Sequence, residues 1–540
     1  MKVLDLKWGI SSRDVWHGVK CLNHCLKVSM AVATEQPFAI EKTEHVKKSN
    51  GALFREAQGN EYEELLNNQL QKTLGSDYHQ IPDYSNPNQV KIAASAGKIV
   101  IAQAPFETDF GNIVYSGRAD LLVRNDYDLE FLEDGTIRAV KNNDPDSTSY
   151  NVWEIKHSSA TDSKGKQKDL TNYEYQLGMA VEGIRSLGLG ATRLAGILFK
   201  NEEILTFDPN SILDAVTNAR KEMFDYLEKV SPLAGPKSFE TPWYCPQNCD
   251  VSRCDYPGIC SHTRYELDLL NILYSPHYTH IPKLNAVGIF TVSDLLSMDA
   301  SKSGVDAAQI EKHLVFAELI QNQKRTGVPS YKVLTSVWDE PNALPKPTDK
   351  DLFMDFEWYD ILNSKDKFCY LFGVSDRSGV VKQFYTNKLE DEGSVFVEFL
   401  TYMSQAIDAN EGMHIYVVNK GAEETRIKEL AAKYGAPQES IEKILGRIFD
   451  LLGAARSSVA VSIASYGLKD IKVYFEDEIA EASSGTKDGE DSMYTFWKLQ
   501  KALEEGADAT ASQLEQELLA YNAADCRATI RYYNWLASLG

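Results

Sequence analysis

The sequence predicts an α/β multidomain protein, and three observations carry that prediction. At 540 residues the chain is too long for one hydrophobic core. Two stretches mix short β-type runs with helical periodicity, and between them residues 264–325 are almost purely helical. Finally, Pro329, Pro341, Pro345 and Pro347 interrupt a polar stretch and mark a linker. The expected division is 1–262, a small all-α piece at 263–325, a linker at 326–349 and a second α/β domain at 350–540.

Taken in order, residues 13–33 and 61–74 read as helices from their apolar spacing. From about 98 to 157 the pattern is short β runs, with Asp134-Gly135 as a hairpin turn. Residues 172–188 and 209–230 return to helix, and Pro232, Gly235 and Pro236 mark a weaker break. Beyond the linker, 351–358, 368–385 and 413–418 read as strands, and 422–434, 437–453 and 510–537 as helices. No repeat of 20–50 residues is present.

Charge and composition exclude several classes. With 78 acidic and 56 basic residues the formal charge is −22, a field that repels a polyanion at long range. Binding nucleic acid therefore requires local basic patches or metal ions. No apolar run approaches the ~18 residues of a membrane span, and residues 1–10 lack a signal-peptide pattern. A cytoplasmic location without membrane association is expected. Eight cysteines are too few for a disulfide scaffold, and six of them fall in two clusters, which suggests metal.

The first chemical constellation lies between residues 59 and 176. Asp120 precedes the apolar run Leu121-Leu122-Val123, and Val152-Trp153-Glu154-Ile155-Lys156 follows some thirty residues later. On a strand Glu154 and Lys156 share a face, with Trp153 and Ile155 on the other. Carboxylates converging from adjacent strands suit a hard cation of the Mg²⁺ type, and a lysine beside them can orient water or offset phosphate charge. Isolated Glu-x-Lys pairs are common on surface strands, so the ordered set carries the signal. That set resembles the PD-(D/E)XK nucleases, restriction-endonuclease-like in fold, and within them the RecB-like branch. The resemblance nominates Glu63, in Gly59-Asn60-Glu61-Tyr62-Glu63, as a further metal ligand with Asp120 and Glu154. It nominates Lys156 and Gln176 as catalytic residues, although the branch's tyrosine four residues after the glutamine is Ala180 here.

Cys245, Cys249, Cys254 and Cys260 lie within sixteen residues, and Cys21 and Cys25 are one helical turn apart. Thiolate clusters of this kind hold Zn²⁺ or an iron–sulfur cluster. In several RecB-like nucleases one N-terminal and three later cysteines ligate a [4Fe–4S] cluster. That resemblance implies Cys21, Cys249, Cys254 and Cys260 as ligands, with Cys245 and Cys25 as alternates and Zn²⁺ as the alternative metal. Cys369 and Cys526 are expected to be free thiols.

In the middle segment, Leu284, Gly288-Ile289, Thr291-Val292 and Asp294-Leu295 resemble the second half of a helix-hairpin-helix. The glycine-rich hairpin through which such modules approach phosphate is missing. A spacer role and a DNA contact are both open.

The second constellation spans residues 353–525. Phe353-Met354-Asp355-Phe356-Glu357-Trp358 puts two carboxylates on one strand face, and Tyr521-Asn522-Ala523-Ala524-Asp525 puts Tyr and Asp one helical turn apart. The order resembles the DEDDy exonucleases of the ribonuclease H-like fold, in which the acids hold two divalent ions ~4 Å apart. The resemblance implies Asp355, Glu357 and Asp525 as metal ligands and Tyr521 as the water-positioning residue. Glu423 stands where that family has a mid-domain aspartate, and Asp450 is a second candidate for the place. The expected protein is a Mg²⁺- or Mn²⁺-dependent nuclease, exonucleolytic on single-stranded or end-bearing DNA. Its alternatives are a single live site with the other domain guiding substrate, a metal-stapled binding scaffold without turnover, and an RNA exonuclease.

Overall fold

The computed structural model describes residues 2–4, 7–11, 15, 50–162, 165–229, 264–273, 279–339, 343–362, 366–475, 486 and 488–540. The chain divides into two compact units, one drawn chiefly from residues 55–259 and the other from 260–361 and 366–540. The N-terminal strands are β1 (Lys2–Leu4) and β2 (Lys7–Ile10), followed by helix α1 (Asn50–Leu74). Next come β3 (Tyr78–Gln80), α2 (Asn88–Ser95), β4 (Val100–Asp109), β5 (Ile113–Arg124) and the hairpin β6 (Tyr127–Phe131)–β7 (Ile137–Lys141). The unit closes with β8 (Tyr150–Lys156), α3 (Thr171–Ser186), β9 (Gly190–Phe199), β10 (Ile204–Phe207) and α4 (Pro209–Lys229).

Its main sheet runs β1-β2-β5-β8-β9-β10, with β4 also on β5 and β3 on β4. Apolar residues fill both faces. Tyr62, Leu66 and Leu70 of α1 cover one with Trp153 and Ile155, and Leu177, Val181 and Val216 cover the other with Val152. The β6–β7 turn is the expected one: Gly135 has φ +77°, and Asp134 Oδ1 accepts from Thr136 N at 2.9 Å.

On one edge, β5 pairs with β2 through Ile113–Tyr115 and with β8 through Leu121–Arg124. Among the described residues the stretch between has no strand partner on that edge. There the Asp120 side chain takes the place of a backbone acceptor, with Oδ2 receiving the Ile155 N–H at 2.7 Å. The end of the β5–β8 ladder is what puts Asp120 beside Glu154 and Lys156.

The second unit begins with α5 (His280–Asn285), α6 (Val292–Ser297) and α7 (Ala307–Thr326). Gly288, at φ +86°, turns the chain between α5 and α6, and a Thr291–Asp294 capping box starts α6. Residues 326–349, expected as a linker, contain β11 (Tyr331–Val333), which pairs antiparallel with the later strand β17 (Val459–Val461). The helical piece shares one apolar core with the C-terminal part, joining Leu284, Leu295 and Phe316 to Phe353, Val461 and Tyr532.

The principal sheet of this unit uses β12 (Leu352–Asp360), β13 (Lys367–Asp376), β14 (Val381–Tyr385), β15 (Ile415–Val417) and β16 (Ile448–Asp450), in the order β14-β13-β12-β15-β16. β12–β14 are antiparallel neighbours, and β15 and β16 run parallel to β12. On one face lie α8 (Glu392–Ala409), α9 (Lys420–Tyr434) and α10 (Gln438–Leu445), around Phe356, Phe372, Phe399 and Ile427. The remaining helices are α11 (Leu451–Ser458), α12 (Leu468–Ile471), α13 (Gly489–Glu504) and α14 (Asp508–Ala537). α13 and α14 pack on β12.

The single helix expected at 437–453 is a correction. α10 ends at Leu445 and α11 begins at Leu451, with strand β16 between them. Gly446 and Arg447 release the chain from the helix, and pairing of Ile448–Asp450 with β15 then outweighs the local periodicity.

Candidate functional site

In the first unit, Glu154 and Lys156 project from the same side of β8. Lys156 Nζ donates to Glu154 Oε2 at 2.7 Å and lies 3.8 Å from Asp120 Oδ2. Glu63 of α1 belongs to the same electrostatic group. Burial first, then Asp120, pushes its carboxyl up to about 7, while Arg118 and Lys156 pull it down. Burial and then Asp120 likewise raise Glu154 to about 7, against the opposing pull of Lys156. Burial works against the Lys156 charge, yet Glu154 and Asp120 hold its pKa above the ordinary lysine value. The Tyr173 ring adds a cation–π contact at 5.8 Å. Gln176 is half-buried on α3, and its buried Oε1 has no hydrogen-bond partner. Glu63, Asp120, Glu154 and Lys156 are therefore neighbours, with the lysine as the internal countercharge.

In the second unit, Asp355 and Glu357 from β12 and Asp525 from α14 each offer a carboxylate oxygen, all within 4.8 Å of one another. Among the described residues this is the one group of three or more acidic, Cys or His ligand atoms gathered so closely. The donors are all oxygen, as a hard divalent cation requires. Three features of the fold bring them together. β12 places Asp355 and Glu357 two residues apart, hence on one face. Gly373 pairs with Asp355 across the β12–β13 ladder, and a Cβ there would lie 2.1 Å from Asn522 Oδ1 and 2.8 Å from Cys526 Sγ. Its bare backbone lets α14 approach the sheet. Asn522 Nδ2 then donates to Asp355 Oδ2 at 3.2 Å and to the Asp355 carbonyl at 3.1 Å, and its own oxygen accepts from Gln383 at 3.1 Å.

A register shift next to Glu357 leaves Tyr370 of β13 without a direct partner on β12. Tyr370 stacks on Phe496 at 4.0 Å and shares a 2.7 Å hydrogen bond with Ser492, which in turn bonds Glu357.

The carboxyls are raised by burial and by one another. Burial first, then Asp525, lifts Glu357 to about 8. Burial, then Glu357, Asp525 and Glu423, lifts Asp355 well above the ordinary range. Burial also pushes the Tyr521 phenol upward, with Glu357 and Asp525 adding to it, so Tyr521 stays protonated and bonds Asp525.

Glu423, on α9, lines the same cleft of about 660 Å³ as Asp355, Glu357, Tyr521 and Asp525. Its Oε2 is buried without a hydrogen-bond partner, and burial lifts its carboxyl to about 8. Asp450 is engaged elsewhere: it caps α11, accepting from Leu452 N at 3.1 Å. The raised carboxyls of Asp355, Glu357 and Glu423, the adjoining Asp525 carboxylate and the orphaned Glu423 oxygen form a donor set that a divalent cation fits.

Two comparisons with known proteins bear on the chain. No curated protein matches it. Residues 352–537 match the RNase_H superfamily. The C-terminal part is therefore RNase H-like, which points to a nuclease-type phosphodiester hydrolase acting on nucleic acid. The Asp355–Glu357–Asp525 group lies inside the matched residues.

Several participants were not identified from the sequence. Asn522 sits inside the Tyr521–Asp525 motif, and its helical position one residue after Tyr521 was the available clue. Tyr370 and Gly373 follow from strand register and Ser492 from the packing of α13 on β12; none of them carries a local signal. Lys469 and Asp488 also line the cleft. Cys21, Cys25, Cys245, Cys249, Cys254 and Cys260 all lie outside the described residues, whereas Cys369 and Cys526 are buried free thiols. No described helix is long and apolar enough to cross a membrane.

Proposed function

We propose that the second unit is a DEDDy-type, Mg²⁺- or Mn²⁺-dependent exonuclease acting on single-stranded or end-bearing DNA. The observation that carries this reading is the convergence of Asp355, Glu357 and Asp525 within 4.8 Å, in a cleft also lined by Tyr521 and Glu423. Asp355, Glu357, Asp525 and Glu423 would hold the cations, with Glu423 preferred over Asp450 because Asp450 caps a helix. Bound cations would supply Lewis acidity toward phosphate oxygens and offset the charge that develops there. Asn522 fixes the Asp355 carboxylate and Ser492 fixes Glu357. Tyr521, kept protonated by its surroundings, presents a hydroxyl that can orient the attacking water. Asn419, Trp358 and Met493 complete the wall against which a terminal nucleotide would lie.

For the first unit the proposal is a RecB-like PD-(D/E)XK centre at Glu63, Asp120, Glu154 and Lys156, with Gln176 nearby in sequence. A cysteine-ligated [4Fe–4S] cluster, or Zn²⁺, would accompany it. One observation favours a second reading in which this unit guides substrate. Its acids are already engaged, Glu154 by Lys156 at 2.7 Å and Asp120 by the Ile155 amide at 2.7 Å.

The test is nucleotide release from labelled single-stranded DNA and RNA, in Mg²⁺ and in Mn²⁺, by wild type, Lys156→Ala and Asp355→Ala. Loss on Asp355→Ala with Lys156→Ala unaffected assigns turnover to the second unit alone. Substrate binding without release by the wild type would replace the enzyme reading with a binding scaffold. Visible absorption of the anaerobically purified protein decides between iron–sulfur and zinc.

A further inference from the structure

The cleft of the second unit is lined by six acidic residues, Asp355, Glu357, Glu423, Asp488, Glu490 and Asp525, and among its described lining residues Lys469 is the one cation. A phosphodiester entering this cleft meets a strongly negative wall. Divalent ions held by the Asp355 group would offset part of that field, and Lys469 is the basic side chain on hand to offset more.

Lys469 lies on the short helix α12. Its Nζ contacts Asp488 Oδ2 at 2.9 Å, with the lysine side chain 51% and the aspartate side chain 38% exposed. Asp488 uses its other oxygen, Oδ1, to cap α13, accepting from Asp491 N at 2.8 Å. The lysine contact is therefore not what holds the cap in place. A half-exposed ion pair of this kind is weak and easily exchanged. The ammonium also feels Asp525, so it stands within electrostatic reach of the metal-ligand group.

We propose that Lys469 is a phosphate-contacting residue. When a nucleic-acid strand occupies the cleft, its ammonium leaves Asp488 Oδ2 and donates to a non-bridging oxygen of the phosphodiester lying beside Asp525 and Glu357. Asp488 is the resting partner that keeps the lysine at the cleft wall when no strand is bound. This inference rests on the phosphodiesterase reading of the cleft.

The experiment uses the full chain and short fluorescently labelled single-stranded DNA and RNA oligonucleotides. Affinity is read by anisotropy in Ca²⁺ across a salt series, and turnover in Mn²⁺. Lys469→Gln is expected to weaken binding by about 10-fold or more and to flatten the dependence of log Kd on log salt by about 0.7. Lys469→Arg should restore most of the affinity. Asp488→Asn keeps a residue that caps α13 well and frees the lysine, so it should bind at least as tightly as wild type. Unchanged affinity and salt slope in Lys469→Gln, with wild-type turnover intact, would overturn the inference alone. A loss in Asp488→Asn equal to that in Lys469→Gln would overturn it too, reducing the pair to a structural tie. A wild-type protein that neither binds nor degrades either oligonucleotide would remove the phosphodiesterase reading, and this inference with it.

Discussion

Replacing Glu357 by Gln should stabilise the cation-free protein, and should do so more as pH rises. Glu357 is buried between Asp525, Asp355 and the Ser492–Tyr370 pair, and its carboxyl is lifted from 4.5 to about 8. Below about 4.5 the folded and unfolded states both hold the proton, and the site costs nothing. Between about 4.5 and 8 the folded state keeps a proton that the unfolded chain has released, so the penalty grows with pH. Above about 8 the penalty is constant, on the order of 5 kcal/mol from the displacement alone. Part of this is shared with Asp355 and Asp525, so the gain from Glu357→Gln at pH 8.5 should be on the order of 2 kcal/mol. In a unit of this size that is about 4–8 °C in Tm. The assay is thermal unfolding of wild type and variant from pH 5.5 to 9 in EDTA, repeated in Mn²⁺. The Tm gap should widen with pH in EDTA. In Mn²⁺ it should narrow or reverse, because bound cation stabilises the wild type more. A variant no more stable than wild type at pH 8.5 in EDTA would refute the claim that the carboxylates repel one another in the folded state.

Three further outcomes follow from single contacts. Gly373→Ala forces a methyl group to within 2.1 Å of Asn522 Oδ1. It should cost about 1–3 kcal/mol in urea unfolding and lower turnover by loosening Asp355. Lys156→Met removes the countercharge that Glu154 contacts at 2.7 Å, leaving a buried carboxylate without its cation, a change that costs about 3–5 kcal/mol when the charge persists. Glu154 can escape by taking up a proton, so the measured loss should be smaller at pH 6 than at pH 8.5. Thr291→Ala breaks the capping box that opens α6 and should cost about 1 kcal/mol in the same measurement.

Legibility in the sequence followed the range of the interactions involved. Asp355 and Glu357 could be read because strand alternation is local, and Tyr521 and Asp525 because a helical turn is local. Asp120, Glu154 and Lys156 could be read for the same reason, although nothing local shows that Lys156 bonds Glu154. The strand β16 escaped because Ile448–Asp450 is three residues long and owes its form to pairing with β15. β11, inside the expected linker, escaped likewise, since its three residues are exposed and gain strand form from β17. The sequence does not separate Glu423 from Asp450, because a cap and a cleft-lining acid are both an acid near a helix start. Gly373 could not have been singled out among 33 glycines, because its importance lies in what α14 places against it.

The two acidic clusters differ in where their countercharge comes from, and this ranks them for cation dependence. In the first unit Lys156 sits among the acids, 2.7 Å from Glu154 and 3.8 Å from Asp120, so part of the repulsion is cancelled inside the fold. In the second unit the lysine that lines the cleft, Lys469, is held by Asp488 instead. Asp355, Glu357 and Asp525 meet within 4.8 Å, and Lys469 offsets only part of the effect that burial and Asp525 have on Glu357. Their repulsion is relieved either by protons, which the raised pKa values of Asp355 and Glu357 express, or by cations. Protons and cations therefore compete for one set of oxygens, and Mn²⁺ affinity at the second cluster should rise steeply between pH 6 and 8.5. Calorimetric titration of wild type should show this, Asp355→Ala should abolish the strongest binding, and Glu154→Ala should leave it in place. Equal loss in the two variants, or an affinity flat in pH, would mean that the second cluster is not where the protein first meets its cation. The −22 net charge of the chain does not decide the matter, because it is spread over the whole surface and screened within about 10 Å. What decides it is a few buried oxygens and whether a lysine was built in beside them.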